Sequence, residues 1–162
     1  MPEPETGGTD PFDLPTVPVM RRRADSMSET AAAMAGPAGP WPINGDLAGM
    51  RRQVHQCAIS AGMDAHSAAD LVVAVHEAVV NVLEHGGGRG TVSITCQDGQ
   101  LIVEVTDAAG VLEPAHLPAG PPVPGRGRGA GLWLIRRVCD AVVIDRRPGA
   151  SQLRMSMKLA SA

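Results

Sequence analysis

The sequence predicts an α+β fold: a two-layer α/β sandwich with helices on one face of a mostly antiparallel sheet. Three observations carry this. The apolar period switches between helical and strand values in the order α-α-β-β-α-β-β. Two turn sequences, Asp98-Gly99 and Pro148-Gly149, each join a pair of short apolar segments, as hairpins require. Hydrophobic residues make up 44% of the chain, yet it has one Phe, two Trp and no Tyr, so Val, Leu, Ile and Ala must build the core.

The elements follow in order. Eight of the fourteen prolines fall in residues 1–42, among Gly, Ser, Thr and Ala. Such a segment lacks the apolar surface to offset ordering entropy, so residues 1–40 are expected to be a disordered tail. Ala31-Ala32-Ala33-Met34 is expected to be helical only transiently. The folded domain is expected over 41–162. Proline is absent from 43 to 113, where periodic structure begins. Asn44 or Asp46 can cap a first helix running to about Ala61, with Gly62 ending it. A second helix runs from about Asp64 to His85 and stops at Gly86-Gly87-Gly88. In it Leu71, Val75, Ala78, Val79 and Val82 form one apolar stripe. Glu77, Asn81 and His85 are spaced by four and stack in a polar row. At about 100° per residue that row borders the stripe, so it looks into a cleft at the edge of the core.

Thr91–Gln97 and Gln100–Asp107 alternate around Asp98-Gly99 and read as a hairpin, with Leu101, Val103 and Val105 on one face. A long loop follows, from Ala108 to about Arg128, with five prolines from Pro114 to Pro124. Its length points to a lid or binding loop. A third helix spans Gly129–Cys139, with Leu132, Ile135 and Val138 on one face. Val142–Asp145 and Leu153–Leu159 complete a second hairpin.

Charge and cysteine usage exclude several classes. The net charge is -3, and the whole excess lies in residues 1–40, with six acids against three arginines. The rest is balanced, and Arg21-Arg22-Arg23 is the only run of three basic residues, set among acids. A nucleic-acid binder needs a basic stripe, so none is expected here. Cys57, Cys96 and Cys139 fit no zinc or redox spacing and read as isolated thiols. No uninterrupted apolar stretch approaches the ~18 residues of a membrane span. The N-terminus has no basic region followed by an apolar one, so no signal peptide and a cytoplasmic protein are expected.

Three segments carry chemistry. Glu77 is of a type that acts as a general base, and the Asn81 oxygen is a hard ligand suited to Mg²⁺; the competing reading is a solvated polar face. Asp107, at a strand end, either starts a turn or accepts a hydrogen bond from a purine amino group. Gly125-Arg126-Gly127-Arg128-Gly129-Ala130-Gly131-Leu132 alternates glycines and then opens a helix. Backbone N–H groups there can approach phosphate oxygens, with Arg128 and Arg126 adding charge; the alternative is a lid hinge. The apparent dinucleotide fingerprint Gly125-x-Gly127-x-x-Ala130 follows a Pro-rich loop rather than a strand and is rejected. No P-loop exists, and the only lysine is Lys158.

Taken in order, these segments resemble the GHKL (Bergerat-fold, histidine-kinase-like) ATPase superfamily, and within it the RsbW/SpoIIAB type of anti-sigma factor serine/threonine kinase in its actinobacterial form. Ala69 to Gly86 resembles the N-box, Val103 to Asp107 the G1 region, and Gly127 to Asp140 the G2 box. Asp46 to Ala61, with Arg51-Arg52, looks like the family's first helix. The likeness covers roughly residues 41–160. It implies ATP and Mg²⁺ as cofactors. Glu77 would activate a protein serine hydroxyl, Asn81 would hold Mg²⁺, and Asp107 would recognise adenine. Gly127, Gly129 and Gly131 would cradle phosphates, under a lid spanning about 111–128. His85 would lie close to the nucleotide, and Gly110, Arg128 and Leu132 belong to the implied nucleotide-binding set. The implied partners are a sigma factor and a STAS-type anti-anti-sigma protein; the likeness also allows a homodimer. One departure stands out. The family's Asp-x-Gly-x-Gly reads Asp107-Ala108-Ala109-Gly110-Val111 here. Either a Cβ at 109 crowds the adenine and lowers ATP affinity, or the loop is rerouted through Gly110. The alternative function is a partner-switching module that binds nucleotide weakly or not at all.

Overall fold

A computed structural model describes residues 38–123 and 129–160. The elements are β1 (Ala38–Pro42), α1 (Leu47–Ser60), α2 (Ala65–His85), β2 (Gly90–Gln97) and β3 (Gln100–Asp107). After a 3₁₀ turn at Pro114–His116 come α3 (Ala130–Val138), β4 (Ala141–Arg147) and β5 (Ala150–Lys158). The sheet order is β1-β2-β3-β5-β4, every pair antiparallel. The expected α+β sandwich is what forms.

Strand β1 was not anticipated. It pairs Trp41 with Val92 and Pro42 with Thr91 at the sheet edge. It starts at Ala38, so the last residues of the expected tail belong to the sheet. Prolines 40 and 42 argue against a strand by propensity. An edge strand tolerates them because only one side of it needs ladder donors. The last hairpin is also longer than expected around its turn, β4 running on to Arg147 and β5 starting at Ala150.

Local chemistry sets the helix ends. Of the two candidate caps, Asp46 serves α1, accepting from the Gly49 N–H at 2.8 Å. Asp64 caps α2 by accepting from the His66 and Ser67 N–H groups at 3.0 Å each. The Ser67 hydroxyl adds a third bond at 2.6 Å, and chiefly this bond holds the Asp64 carboxyl below its usual pKa. Gly86 ends α2, with Gly88 donating back to the Val82 carbonyl.

Helices α1 and α2 cover one face of the sheet. Leu71, Val75, Ala78, Val79 and Val82 of α2 are buried against Val92, Ile94, Val103, Val105 and Met155, with Val54 and Ala58 of α1 beside them. By length and mean hydropathy (1.2) α2 could cross a membrane. Here it is the central core helix, and Asp70, Glu77 and Asn81 interrupt its apolar surface. Burial raises the pKa of all three thiols; that of Cys139 is pushed up to about 12, with Asp140 adding to the effect.

Candidate functional site

The polar row of α2 faces a cavity of about 870 Å³, within the range of small-molecule sites. Its walls are α2, the ends of β3 and β5, the loop after β3, and the first turn of α3. Glu77, Asn81, His85, Asp107, Gly129, Gly131 and Leu132 all line it. Seven of the ten expected site residues are thus brought together from three separate segments. Gly127 and Arg128 lie outside the described residues. Gly110 shapes the loop without lining the cavity.

Glu77 and Asn81 are half-buried and His85 is exposed, as a row bordering the core stripe should be. The Asn81 Nδ2 is buried and has no hydrogen-bond partner in the protein. An orphaned buried amide costs free energy, and a polar group entering the cavity could satisfy it. Turned over, the same amide presents its oxygen. The Glu77 carboxylate lies against α3: a Cβ on Gly131 would stand 2.8 Å from Glu77 Oε2. Gly131 therefore keeps the first turn of α3 and the acid of α2 in close approach. Gly129 caps α3 at φ 97°, a left-handed conformation suited to glycine.

Asp107 is 4% exposed and organises its own loop. Its Oδ1 accepts from the Ala109 N–H at 2.9 Å and its Oδ2 from the Val111 N–H at 3.0 Å. The carboxylate is wedged against the end of α2, where a Cβ on Gly86 would meet it at 2.7 Å. Ser151 joins this group. Its hydroxyl accepts from the Leu112 N–H at 3.2 Å and lies 3.5 Å from Asp107 Oδ2. The altered glycine box makes its turn at Gly110, with φ 66°, where a Cβ would press to 3.1 Å from the Ala150 backbone. The loop is therefore routed through Gly110, the second of the two outcomes open from the sequence. The Ala109 methyl lies toward Gly87, at the end of α2.

Ser151 and His116 also line the cavity and were not anticipated. No local pattern marks either. Ser151 meets Asp107 only because β3 and β5 pair in that register. His116 is a lone histidine in a Pro-rich loop.

These residues suit a nucleotide with a divalent cation. Among the described lining residues, Glu77, Glu84 and Asp107 are acidic and none is Lys or Arg. An anionic polyphosphate would need its charge met by a metal ion, by the N-terminus of α3, and by side-chain donors.

A family model for the histidine kinase-like ATPase domain matches residues 43–157. The chain belongs to this family. No curated protein matches it at significant similarity. Among solved structures, this histidine kinase-like ATPase domain is similar to the RsbU and RsbW domains of Rv1364c from Mycobacterium tuberculosis. The TM-score is 0.57 and the identity 19%, over 78% of this chain and 33% of that one. The chain thus spans about a third of the length of that structure. It is also similar to a chain of the SiaB–SiaC complex from Pseudomonas aeruginosa. There the TM-score is 0.55 and the identity 18%, over 82% of this chain and 95% of that one. At these identities the likeness is one of fold.

Proposed function

We propose that this domain is an ATP-binding anti-sigma regulatory factor. In this reading it phosphorylates a Ser or Thr of a small STAS-type antagonist protein and sequesters a sigma factor in the cytoplasm. The observation that carries the proposal is one cavity joining Glu77, the orphaned amide of Asn81, Asp107 and the first turn of α3. The fold shared with an RsbW-domain structure and with a chain of a two-protein complex supports partner switching.

Bound ATP with Mg²⁺ would supply the phosphoryl group and neutralise its charge. Phosphoryl transfer needs mainly positioning and charge stabilisation, which side chains on rigid elements provide. Asn81 would hold the metal through its side-chain oxygen. The N–H groups at the start of α3, around Gly129 and Gly131, donate to anionic oxygens. Asp107 and Ser151 hold the base-side loop and present a carboxylate to the adenine amino group. Glu77 takes the proton of the incoming hydroxyl at its carboxylate, held near α3 by the absence of a side chain on Gly131.

The test is Glu77→Ala. Phosphorylation of the antagonist should be abolished while ATP binding stays detectable. Unchanged transfer would remove Glu77 from the role of base.

A second reading is a partner-switching domain with weak nucleotide binding. Ala109 and Val111 favour it, since they stand at the two glycine positions of the family's Asp-x-Gly-x-Gly, and the positive-φ turn falls between them at Gly110. Binding of a partner with no response to Mg-ATP would select it.

A further inference from the structure

The charge balance of the cavity singles out one residue. Its described side chains include three carboxylates, Glu77, Glu84 and Asp107, with no Lys or Arg. The side-chain N–H donors left are those of Asn81, His85 and His116. His85 Nε2 lies 3.8 Å from the Glu84 carboxylate. His116 is placed differently. Its Nδ1 accepts the Glu113 backbone N–H at 3.0 Å. A ring nitrogen that accepts carries no proton, so the neutral ring holds its hydrogen on Nε2 and is a donor there. The turn bearing it is fastened from outside. The Glu113 carboxylate pairs with Arg146 of β4, and Arg136 of α3 donates to the Pro118 carbonyl at 2.7 Å. His116 is thus an exposed donor with its hydrogen on Nε2, on an anchored turn, in the wall of a cavity whose described lining has no Lys or Arg.

We propose that His116 is a nucleotide-contacting residue whose Nε2–H donates to an oxygen of the bound polyphosphate. This rests on the nucleotide-binding reading of the cavity. Glu113 and Arg146 are positioning residues that present the ring.

The test separates the two nitrogens. Asn places an amide oxygen near the position of Nδ1 and keeps the Glu113 bond, whereas Gln reaches the position of Nε2. Mg-ATP and adenosine are titrated calorimetrically into the full chain and its variants. His116→Asn should weaken Mg-ATP binding about tenfold, the scale of one hydrogen bond to a charged group. His116→Gln should recover most of that loss, and adenosine affinity should stay unchanged in both. In the wild type, the His116 ¹⁵N signals should report the Nε2–H tautomer and shift on adding Mg-ATP. If His116→Asn binds Mg-ATP like the wild type while His116→Ala does not, His116 only caps its turn and the proposal is overturned. Equal loss for adenosine and Mg-ATP would also overturn it. A wild-type chain that binds no Mg-ATP would overturn the nucleotide reading itself, a distinct result.

Discussion

Replacing Gly86 with Ala tests the packing on which the site depends. A Cβ there would come within 2.7 Å of the Asp107 carboxylate, closer than carbon and oxygen atoms tolerate. Asp107 cannot swing away freely, because Ala109 and Val111 hold its two oxygens. Either the end of α2 shifts or those bonds are lost. Overpacking of a close contact costs about 1–3 kcal/mol. A lost bond to a carboxylate costs about 1.5–3 kcal/mol. These are alternative outcomes rather than additive ones, so the expected destabilisation is about 2–3 kcal/mol. The assay is urea unfolding, with Gly120→Ala as control, since a Cβ there meets nothing within 4 Å. The control should change stability by less than about 0.5 kcal/mol. Asp107→Ala in the Gly86→Ala background should cost less than it does alone, because it removes the clash. Gly86→Ala indistinguishable from the control, or strict additivity of the pair, would refute the contact.

Two further outcomes are expected. Asn81→Ala should flatten the Mg²⁺ dependence of nucleotide affinity, by at least the ~10-fold that loss of a metal-supporting group typically costs; a wild-type Mg²⁺ dependence would count against Asn81 as the metal ligand. Cys139, with its pKa raised to about 12 by burial, favours the neutral thiol in the folded state. Its contribution to stability is therefore complete below the unfolded thiol pKa and is lost as pH rises from there toward 12. Alkylation of the native chain at pH 8 should accordingly reach Cys57 and Cys96 before Cys139, and the reverse order in a mass-spectrometric time course would refute its burial.

Much of this was legible because burial imposes a period. The alternation of Leu101, Val103 and Val105 and the α2 stripe from Leu71 to Val82 mark the faces that meet in the core. The row Glu77, Asn81, His85 was placed at a cleft edge by angle alone, and the cavity lies there. Strand β1 was hidden because its stability comes from β2 across the ladder rather than from its own Pro-containing sequence. Ser151 was hidden for a related reason: strand register, not local pattern, sets it opposite Asp107. The turn at Gly110 was one of two open outcomes. The choice between them depended on how closely the loop passes Ala150, a contact between segments forty residues apart.

The central claim is that the cavity beneath α2 is a nucleotide site. Calorimetric titration of the full chain with Mg-ATP tests it most directly. The structure predicts saturable binding at one site per chain, weakened in Asn81→Ala. Absence of heat and of competition by Mg-ADP would contradict it.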